Sequence, residues 1–446
     1  MMSRQICTNT LTFLFWSLIS VAVYFYFSYA LERHEHLNLG ASITLLFMGY
    51  YFILKTPIKH GFIVTLGIIF RLIFLFSIPN LSQDFYRFIW DGRLLLNGLN
   101  PYLFTPNELI NTHHALFAQM QLLHDGMGAL SAQHFSNYPP MHQLPFVIAA
   151  LISKNSILGS VVVMRIIIIL ADIGILMYGR KLLGFLKIPK QHIFFYFLNP
   201  LVIIELSGNL HFEALMLFFL TIALYFLYKQ KQIHSAIFLG FSILTKLLPV
   251  LVLPLLIPRL KFKKTTLYFT LVGLCMVVLS SPFFELQFLK NYSDTVGLWF
   301  TNFEFNSSFY SIGKPLMSML FKIRLIEYMP FIVPIFIVFV VLYFMRRKTI
   351  DTKTIAQSFF WTLTLYFLVS TTVHPWYLAT LVFLSCFTRY KFALVWSATV
   401  FLSYFGYQQN GVDDNTFWKL IEYFSVGMYL LFEGLKNQKT KASSSS

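Results

Sequence analysis

Long apolar runs separated by short polar stretches recur along the chain from Leu11 to Phe432. A helix needs about 20 mainly apolar residues to cross the hydrocarbon core of a bilayer. Twelve spans are predicted, at residues 11–30, 39–54, 62–79, 157–179, 191–206, 212–228, 267–281, 331–345, 356–372, 377–388, 392–406 and 416–434. The pattern thus predicts an all-α fold, a polytopic transmembrane helical bundle.

Two further apolar pieces, residues 143–153 and 234–257, fit poorly as single crossings. The first is too short, and Pro249 and Pro254 interrupt the second, where each proline removes a helical hydrogen bond. Backbone of this kind is tolerated at membrane depth only where protein or a cavity surrounds it. We expect both pieces to be re-entrant or broken helices.

Composition excludes a soluble globular protein. Of the 446 residues 57% are hydrophobic and 12% are charged, about half the roughly 25% usual in soluble domains. The net charge of +16 could indicate a nucleic-acid partner, but in a polytopic chain a basic excess is first explained by Lys and Arg retained on the cytoplasmic side. The three cysteines, Cys7, Cys275 and Cys386, lie in or beside apolar runs, which excludes a disulfide framework.

Sorting the charges over the twelve spans predicts the topology. Most of the 34 Lys and Arg residues fall on one side, where Asp351 and Glu433 are the only acidic residues. This side is assigned to the cytoplasm together with both termini, and the first span is long enough to be an uncleaved anchor. Two large loops, about 80–156 and 282–330, then lie outside, and any chemistry is expected there.

The first outer loop opens with a charged amphipathic segment. If residues 84–96 are helical, Asp84, Arg87 and Asp91 share one face, while Phe85, Phe88, Ile89 and Leu96 can face the bilayer. Two interpretations stay open. The segment is either an interfacial helix with an Asp–Arg ion pair, or a helix that presents carboxylates for chemistry at the membrane edge.

This loop resembles that of the integral-membrane glycosyltransferases of the C superfamily. The pattern is most similar to the bacterial mannosyltransferase-like members and to the first mannosyltransferase of GPI-anchor assembly. The matching residues are Asp84, Tyr86 and Asp91, followed by the turn Gly98-Leu99-Asn100-Pro101-Tyr102. Ser82 stands where the GPI enzymes have the first residue of their Asp-x-Asp pair.

Four further motifs extend the resemblance to residues 62–388. They are Tyr138-Pro139-Pro140-Met141-His142-Gln143, Asn209-Leu210-His211-Phe212-Glu213, Leu244-Thr245-Lys246-Leu247-Leu248-Pro249 and Val373-His374-Pro375-Trp376-Tyr377. The resemblance implies one glycosyltransferase domain over residues 1–442, followed by a disordered tail, 443–446. It also implies a multi-pass protein of the bacterial inner membrane, with its active site on the extracytoplasmic face.

The implied reaction transfers a sugar, preferably mannose, from a polyprenyl-phosphate donor to a glycan or glycolipid acceptor, with inversion. The phosphate leaves already anionic, so a single carboxylate acting as base suffices, unlike the carboxylate pair of glycosidases. Asp84 is the expected base, and Asp91 is a second candidate or a ligand of sugar hydroxyls. The expected substrate-binding residues are Tyr86, Arg87, Arg93, Tyr102, Tyr138, His142, His211, Glu213, Lys246, His374, Trp376 and Tyr377.

The departing phosphate needs a cation. Lys246 is the preferred candidate, because an ammonium beside a helix break in the membrane faces a cavity or a partner by default; the alternative is snorkelling to the cytoplasmic headgroups. Arg87 and Arg93 either hold phosphate or pair with Asp91. Arg165 and Asp172, seven residues apart on one span, are expected to pair within the bundle.

No metal or other cofactor is expected. The loop histidines His113, His114, His124, His134 and His142 fit no compact metal-ligand motif, although a divalent ion bridging Asp84 and the donor phosphate stays possible in principle. The competing function is a polytopic transporter or lipid flippase without covalent chemistry. For a polytopic acyltransferase or glycan ligase the sequence offers no convincing nucleophile.

The topology makes a first testable prediction. A cysteine introduced near Asn306, in the second outer loop, should react with a membrane-impermeant maleimide in intact cells, because the charge distribution puts this loop outside. Protection of that cysteine until the cells are permeabilised would overturn the twelve-span topology.

Overall fold

The computed structural model describes residues 2–112, 115–301, 303–346, 351–408, 411–412 and 416–443. Over these residues the protein is helical, apart from one antiparallel pair of two-residue strands, β1 (Tyr407–Gln408) and β2 (Gly411–Val412). The fold is therefore the predicted helical bundle. Residues 444–446 of the predicted tail lie outside the described residues.

The first half of the chain forms helices up to the predicted broken segment. These are α1 (Met2–Tyr29), α2 (His36–Lys55), α3 (His60–Ile73), α4 (Asp84–Leu96), α5 (Pro106–Thr112), α6 (Met120–Ala132), α7 (Pro140–Ser153), α8 (Ile157–Phe185), α9 (Phe194–Phe197), α10 (Glu213–Tyr228), α11 (Gln232–Thr245) and α12 (Val252–Leu256). Three short segments connect them: 3-10 turns at Lys190–Ile193 and Leu248–Leu251, and a π-helix at Val202–Gly208.

The second half continues in the same manner. Its helices are α13 (Phe262–Ser280), α14 (Phe288–Thr301), α15 (Phe309–Phe321), α16 (Met329–Met345), α17 (Thr352–Val369), α18 (Leu378–Ser385), α19 (Phe392–Thr399) and α20 (Thr416–Ser443). 3-10 turns lie at Ser281–Phe283, Leu325–Tyr328, Pro375–Tyr377 and Val400–Gly406.

Every predicted span overlaps helical structure, but the helices differ in length. Among the described residues five are long and apolar enough to cross a membrane: Thr8–Tyr29, His36–Lys55, Ile157–Phe185, Phe262–Phe283 and Leu325–Met345. A sixth is possible if Val202–Gly208 and Glu213–Tyr228, which meet at 109°, form one bent span. The protein is thus a membrane protein by its apolar helices, while the number of twelve crossings and the sidedness of the loops stay predictions.

A buried ion pair joins α3 and α8 at the centre of the bundle. Arg71 Nε donates to Asp172 Oδ2 at 2.8 Å, and both side chains are fully buried. Tyr196 donates its hydroxyl to Asp172 Oδ1 at 2.7 Å, and the Arg71 guanidinium lies 4.2 Å from the centre of the Phe197 ring. Asp172 is therefore paired with Arg71 and not, as the i, i+7 spacing suggested, with Arg165, while Arg165 binds backbone carbonyls.

Gly67 and Gly92 are among the glycines that allow close helix packing. At Gly67 of α3 a Cβ atom would lie 2.5 Å from the Phe197 ring, and at Gly92 of α4 it would lie 2.3 Å from the backbone oxygen of Phe146. The second contact is with rigid backbone of α7, so no side chain can be accommodated there. Gly92 thus sets the distance between α4 and α7.

The ion pair between α3 and α8 gives a stability prediction. Arg71→Leu leaves Asp172 buried without its cation, which is expected to cost about 3–5 kcal/mol. The double variant Arg71→Leu, Asp172→Leu removes both charges and should be less destabilised than Arg71→Leu alone. Thermal midpoints of the purified proteins in detergent measure both effects, and a double variant that is the less stable of the two would contradict this account.

Candidate functional site

The helix predicted over residues 84–96 is α4, and it begins at Asp84. Its apolar face is covered by protein instead of the bilayer: Phe85, Phe88 and Ile89 are buried, and the Phe88 ring stacks on Phe146 of α7 at 4.7 Å. Leu96, at the end of the helix, is exposed. The start of α4 therefore lies inside the molecule, next to α7.

The motif around Asn209 lies at the bend between the π-helix and α10. Leu210 adopts a left-handed backbone conformation with φ 62°, which is uncommon for a branched residue and is kept only where the surroundings enforce it. Asn209 Oδ1 accepts a hydrogen bond from the backbone N–H of Leu81 at 3.1 Å. This bond joins the bend to the segment that leads into Asp84.

Arg165 of α8 holds the same two segments from the other side. Its guanidinium donates to the carbonyls of Ser207 and Gly208 at 2.6 and 2.8 Å, which end the π-helix. It also donates to the carbonyls of Leu75 and Ser77 at 3.0 and 2.8 Å. The arginine thus satisfies orphan carbonyls at two helix ends, and both ends lead directly to predicted site residues.

Lys246 lies at the predicted break after α11 and is paired with Glu213. Lys246 Nζ is 2.6 Å from Glu213 Oε1, and the lysine side chain is 19% exposed while the glutamate is fully buried. Glu213 is the first residue of α10. Among the described residues no hydrogen-bond partner is found for its second oxygen, Oε2. The ammonium therefore faces a buried carboxylate in the interior of the bundle.

Asp84 lies within electrostatic range of this pair. The pKa of the Asp84 carboxyl is raised to about 6, because burial and the Glu213 carboxylate raise it by more than the Lys246 ammonium lowers it. Burial, and then the Asp84 carboxylate, also raises the pKa of the Tyr138 hydroxyl well above its usual range. Asp84 is consequently a carboxyl that can exchange a proton near neutral pH.

A stack of rings lines the same region. The Trp376 ring lies between His211 at 3.8 Å and His374 at 4.4 Å, nearly parallel to both. Phe305 stacks on the far side of His374 at 4.9 Å, and its backbone pairs with Thr371 and Val373. Burial, and then the Lys246 ammonium, lowers the pKa of His374 to about 3. His374 is therefore neutral at physiological pH.

Nine of the predicted site residues thus come together. Tyr138 and His142 join through their ring contact at 5.0 Å, and Tyr377 packs edge-on against His374 at 5.3 Å. We call this group the Asp84 cluster, which consists of Asp84, Tyr138, His142, His211, Glu213, Lys246, His374, Trp376 and Tyr377.

Asp91 lies in a separate, closed network. Its Oδ1 accepts from Arg87 Nε at 2.7 Å, and its Oδ2 accepts from Ser136 at 2.6 Å and from Gln143 at 3.4 Å. Asp91 is fully buried. Tyr102 donates its hydroxyl to the Tyr138 carbonyl at 2.5 Å. The carboxylate of Asp91 is therefore surrounded by donors from the protein itself, as in the ion-pair interpretation.

Two other predicted residues also lie outside the Asp84 cluster. Arg93 donates to the carbonyls of Ala118 and Asn155 at 2.5 and 3.0 Å and ties the outer loop together. Tyr86 packs against Gly126 of α6 and lines a surface cavity beside α4.

Sequence reasoning missed the residues that support the bend. The sequence predicts for Arg165 only a pairing with Asp172, and it marks Asn209 only as part of a motif. Glu205 accepts from Tyr404 at 2.9 Å and from Asn209 at 3.3 Å, and its Oε2 lies 3.6 Å from His211 Nε2. The available signal was charge at membrane depth, which requires a partner, but it does not say which partner.

The loop histidines do not converge. His124 contacts Asn107 and Asp125, and His134 contacts the Leu130 carbonyl, while His113 and His114 lie outside the described residues. In the described part of the chain no three His, Cys, Asp or Glu side chains are grouped so that they could hold a metal ion.

Bundle and cluster together define a helical membrane protein with a buried carboxyl, a lysine and stacked rings at its centre. Residues 35–260, just over half of the chain, match the family model described as "Alpha-(1->6)-mannopyranosyltransferase, N-terminal domain". The chain belongs to this family, which confirms the resemblance to C-superfamily membrane glycosyltransferases.

Curated relatives agree at low identity. The chain is 27% identical over 151 residues to alpha-(1->6)-mannopyranosyltransferase B of Corynebacterium glutamicum, covering 33% of this chain and 23% of that protein. It is 24% identical over 188 residues to alpha-(1->6)-mannopyranosyltransferase A of the same organism, covering 41% and 36%. For alpha-(1->6)-mannopyranosyltransferase A of Mycobacterium tuberculosis the identity is 25% over 185 residues, covering 41% and 34%. The matches thus span about a quarter to a third of the relatives' length.

Proposed function

We propose that the protein is a mannosyltransferase that moves mannose from a polyprenyl-phosphate donor to a glycan or glycolipid acceptor at the outer membrane interface. The observation that carries this proposal is the Asp84 cluster, where a carboxyl with a pKa of about 6 lies in range of the Lys246–Glu213 pair. The family and its relatives are named for mannosyl transfer, which favours group transfer over the transporter or flippase alternative.

In this mechanism Asp84 is the general base. A base is most effective when its pKa lies near the working pH, and partial burial brings the Asp84 carboxyl to that range. Asp84 takes the proton of an acceptor hydroxyl while the hydroxyl oxygen attacks the anomeric carbon. The bond from that carbon to the phosphate oxygen breaks, and the lipid phosphate leaves with the electron pair.

Lys246 stabilises the leaving phosphate. Its ammonium is paired with Glu213 at 2.6 Å and is partly exposed, so an arriving phosphate can share it. Charge-assisted hydrogen bonds of this kind act on the negative charge that develops in the transition state. The stacked rings of His211, Trp376 and His374 offer their edges to the pyranose or to the first isoprene units.

Stereochemistry follows from the single displacement. Inversion at the anomeric carbon that gives an α-mannoside requires a β-linked donor. We propose α-(1→6) as the linkage to test first, after the names of the relatives. The reaction as proposed has no metal-dependent step, because Lys246 supplies the charge at the phosphate, and activity in EDTA would agree with it.

We propose that Asp91 is a positioning residue. Its hydrogen bonds with Arg87, Ser136 and Gln143 fix α4 against the segment that leads into α7. The base can be placed accurately only if the start of α4 is rigid.

The role of Asp84 gives a prediction with a defined pH dependence. Asp84→Asn should insert and purify normally but lose about 10²–10⁴-fold in turnover, the usual worth of a general base. For the unmodified protein kcat/KM should rise with pH and level off above about pH 6, because only the deprotonated carboxylate accepts the proton. Transfer from synthetic polyprenyl-phosphate-mannose, followed by mass spectrometry, measures both.

Asp125→Asn is the matched control for this experiment, since Asp125 is an exposed carboxylate of the same loop. It should transfer at the unmodified rate. Retained turnover in Asp84→Asn would remove Asp84 from the mechanism.

The role of Lys246 is tested by donor affinity. Lys246→Ala should bind polyprenyl phosphate about ten- to a hundredfold more weakly, which is the worth of a charge-assisted hydrogen bond. Lys314→Ala is the matched control, because Lys314 pairs with Glu304 at the same 2.6 Å but is exposed. Calorimetry in detergent gives the dissociation constants, and unchanged affinity in Lys246→Ala would return the lysine to a purely structural role.

A further inference from the structure

A cavity of about 430 Å³ opens beside the start of α4. It lies between the turn that joins α1 to α2 and the segment that leads into α4, and of the predicted site residues Tyr86 alone lines it. Its volume falls within the range of small-molecule sites in proteins. Gln83 and Phe85, the residues directly before and after Asp84 in the sequence, both line it.

The mouth of the cavity is polar and exposed. The turn between α1 and α2 contributes Glu32, Arg33 and His34. Glu32 and His34 lie 3.4 Å apart, with side chains that are 70% and 39% exposed. Arg33 donates to the Leu81 carbonyl at 3.3 Å, which ties the turn to the segment before α4.

The inner wall is aromatic and held in place. Phe85 is buried, and its ring lies 4.1 Å from that of Tyr86. The Asn80 amide donates to the carbonyls of Phe27 and Leu31 at 2.8 and 2.9 Å, so α1 fixes this wall. Gln83 donates to the Met127 carbonyl at 3.2 Å, which fixes it to α6. A rigid apolar wall under a rim of hydrogen-bonding groups suits a pyranose, whose C–H faces are apolar and whose edges carry hydroxyls.

The charges that line this cavity differ from the charge at Lys246. The lining carries one carboxylate, Glu32, and one guanidinium, Arg33, with His34 at the rim. With a neutral histidine these charges cancel, so the cavity offers no net attraction for a phosphate. An uncharged polyol suits it better, whereas an anion is better placed at the ammonium of Lys246.

The position of the cavity matches the geometry of the proposed reaction. Asp84 is in electrostatic range of Lys246, and its neighbours in the chain, Gln83 and Phe85, belong to the cavity wall. A displacement with inversion requires the attacking hydroxyl and the leaving phosphate on opposite sides of the anomeric carbon. A saccharide in this cavity brings its hydroxyl to the first turn of α4, where the base lies, while Lys246 holds the phosphate beyond the anomeric carbon.

We propose that this cavity is the acceptor site and binds the terminal residue of a neutral saccharide, with Glu32 and His34 as hydrogen-bonding groups at its rim. The assignment rests on the proposed function, since an acceptor presupposes transfer. The saccharide can be water-soluble or the head of a glycolipid, because both present the same hydroxyls to the rim.

The test compares two surface pairs. In the double variant Glu32→Ala, His34→Ala two hydrogen-bonding side chains of the rim are lost, and both are exposed, so the fold should be kept. The KM for an α-(1→6)-mannobioside acceptor should rise about tenfold, while the KM for polyprenyl-phosphate-mannose stays unchanged. His124→Ala, Asp125→Ala removes a similar pair at 3.1 Å on α6, outside the cavity, and should change neither constant.

A rise in the donor KM instead would overturn the assignment, and so would two unchanged constants. Saturation-transfer NMR with the mannobioside, without donor, separates this proposal from the proposed function. Saccharide binding that the rim variant loses would support the cavity assignment even if the protein transferred no mannose, whereas transfer with equal saccharide binding by both proteins would refute the cavity alone. If only a glycolipid acceptor shows the raised KM, the cavity takes the head of a lipid-linked saccharide.

Discussion

The arrangement of the Asp84 cluster depends on the buried guanidinium of Arg165. A guanidinium stays protonated, and burying it is costly unless its donors are satisfied. Here carbonyls of two chain segments satisfy it, Leu75 and Ser77 before the first loop and Ser207 and Gly208 at the end of the π-helix. The first segment reaches Asp84 a few residues later, and the second leads to His211 and Glu213. One side chain thus fixes two otherwise independent parts of the site relative to each other.

The two acidic residues of α4, Asp84 and Asp91, have different surroundings, and we therefore propose different roles for them. Asp91 is surrounded by protein donors, so its charge is stabilised before any substrate arrives. Asp84 lies at the helix start, where burial raises its pKa to about 6 in spite of the nearby Lys246 ammonium. The exposed α1–α2 turn adds a neutral polar surface on the cavity side. The proposed base, the proposed phosphate cation and the proposed saccharide surface therefore come from different elements around the first turn of α4.

The elements that the sequence predicted correctly can all be recognised from local residue patterns. Helix α4 was predicted to its limits because its polar and apolar positions follow the helical period, and the break at Lys246 because prolines follow it. What failed was the environment of those elements. Phe85, Phe88 and Ile89 were expected to face the bilayer, and they are buried against protein. An apolar face needs an apolar contact, and periodicity cannot tell lipid from α7.

The sequence also did not predict which charged residues pair with each other, because pairing depends on contacts between distant parts of the chain. Arg165 and Asp172 share a helix, yet Asp172 pairs with Arg71, 101 residues away, and Arg165 binds backbone carbonyls. By itself the sequence determined the helical membrane class, the start of α4, the broken segment and the family, because these depend on local periodicity and short motifs. Only the tertiary structure decided which charges meet, that nine motif residues form one cluster while Asp91 does not, and where a cavity opens. Those outcomes depend on distances between residues far apart in the chain, which are set by packing such as the Gly92–Phe146 contact.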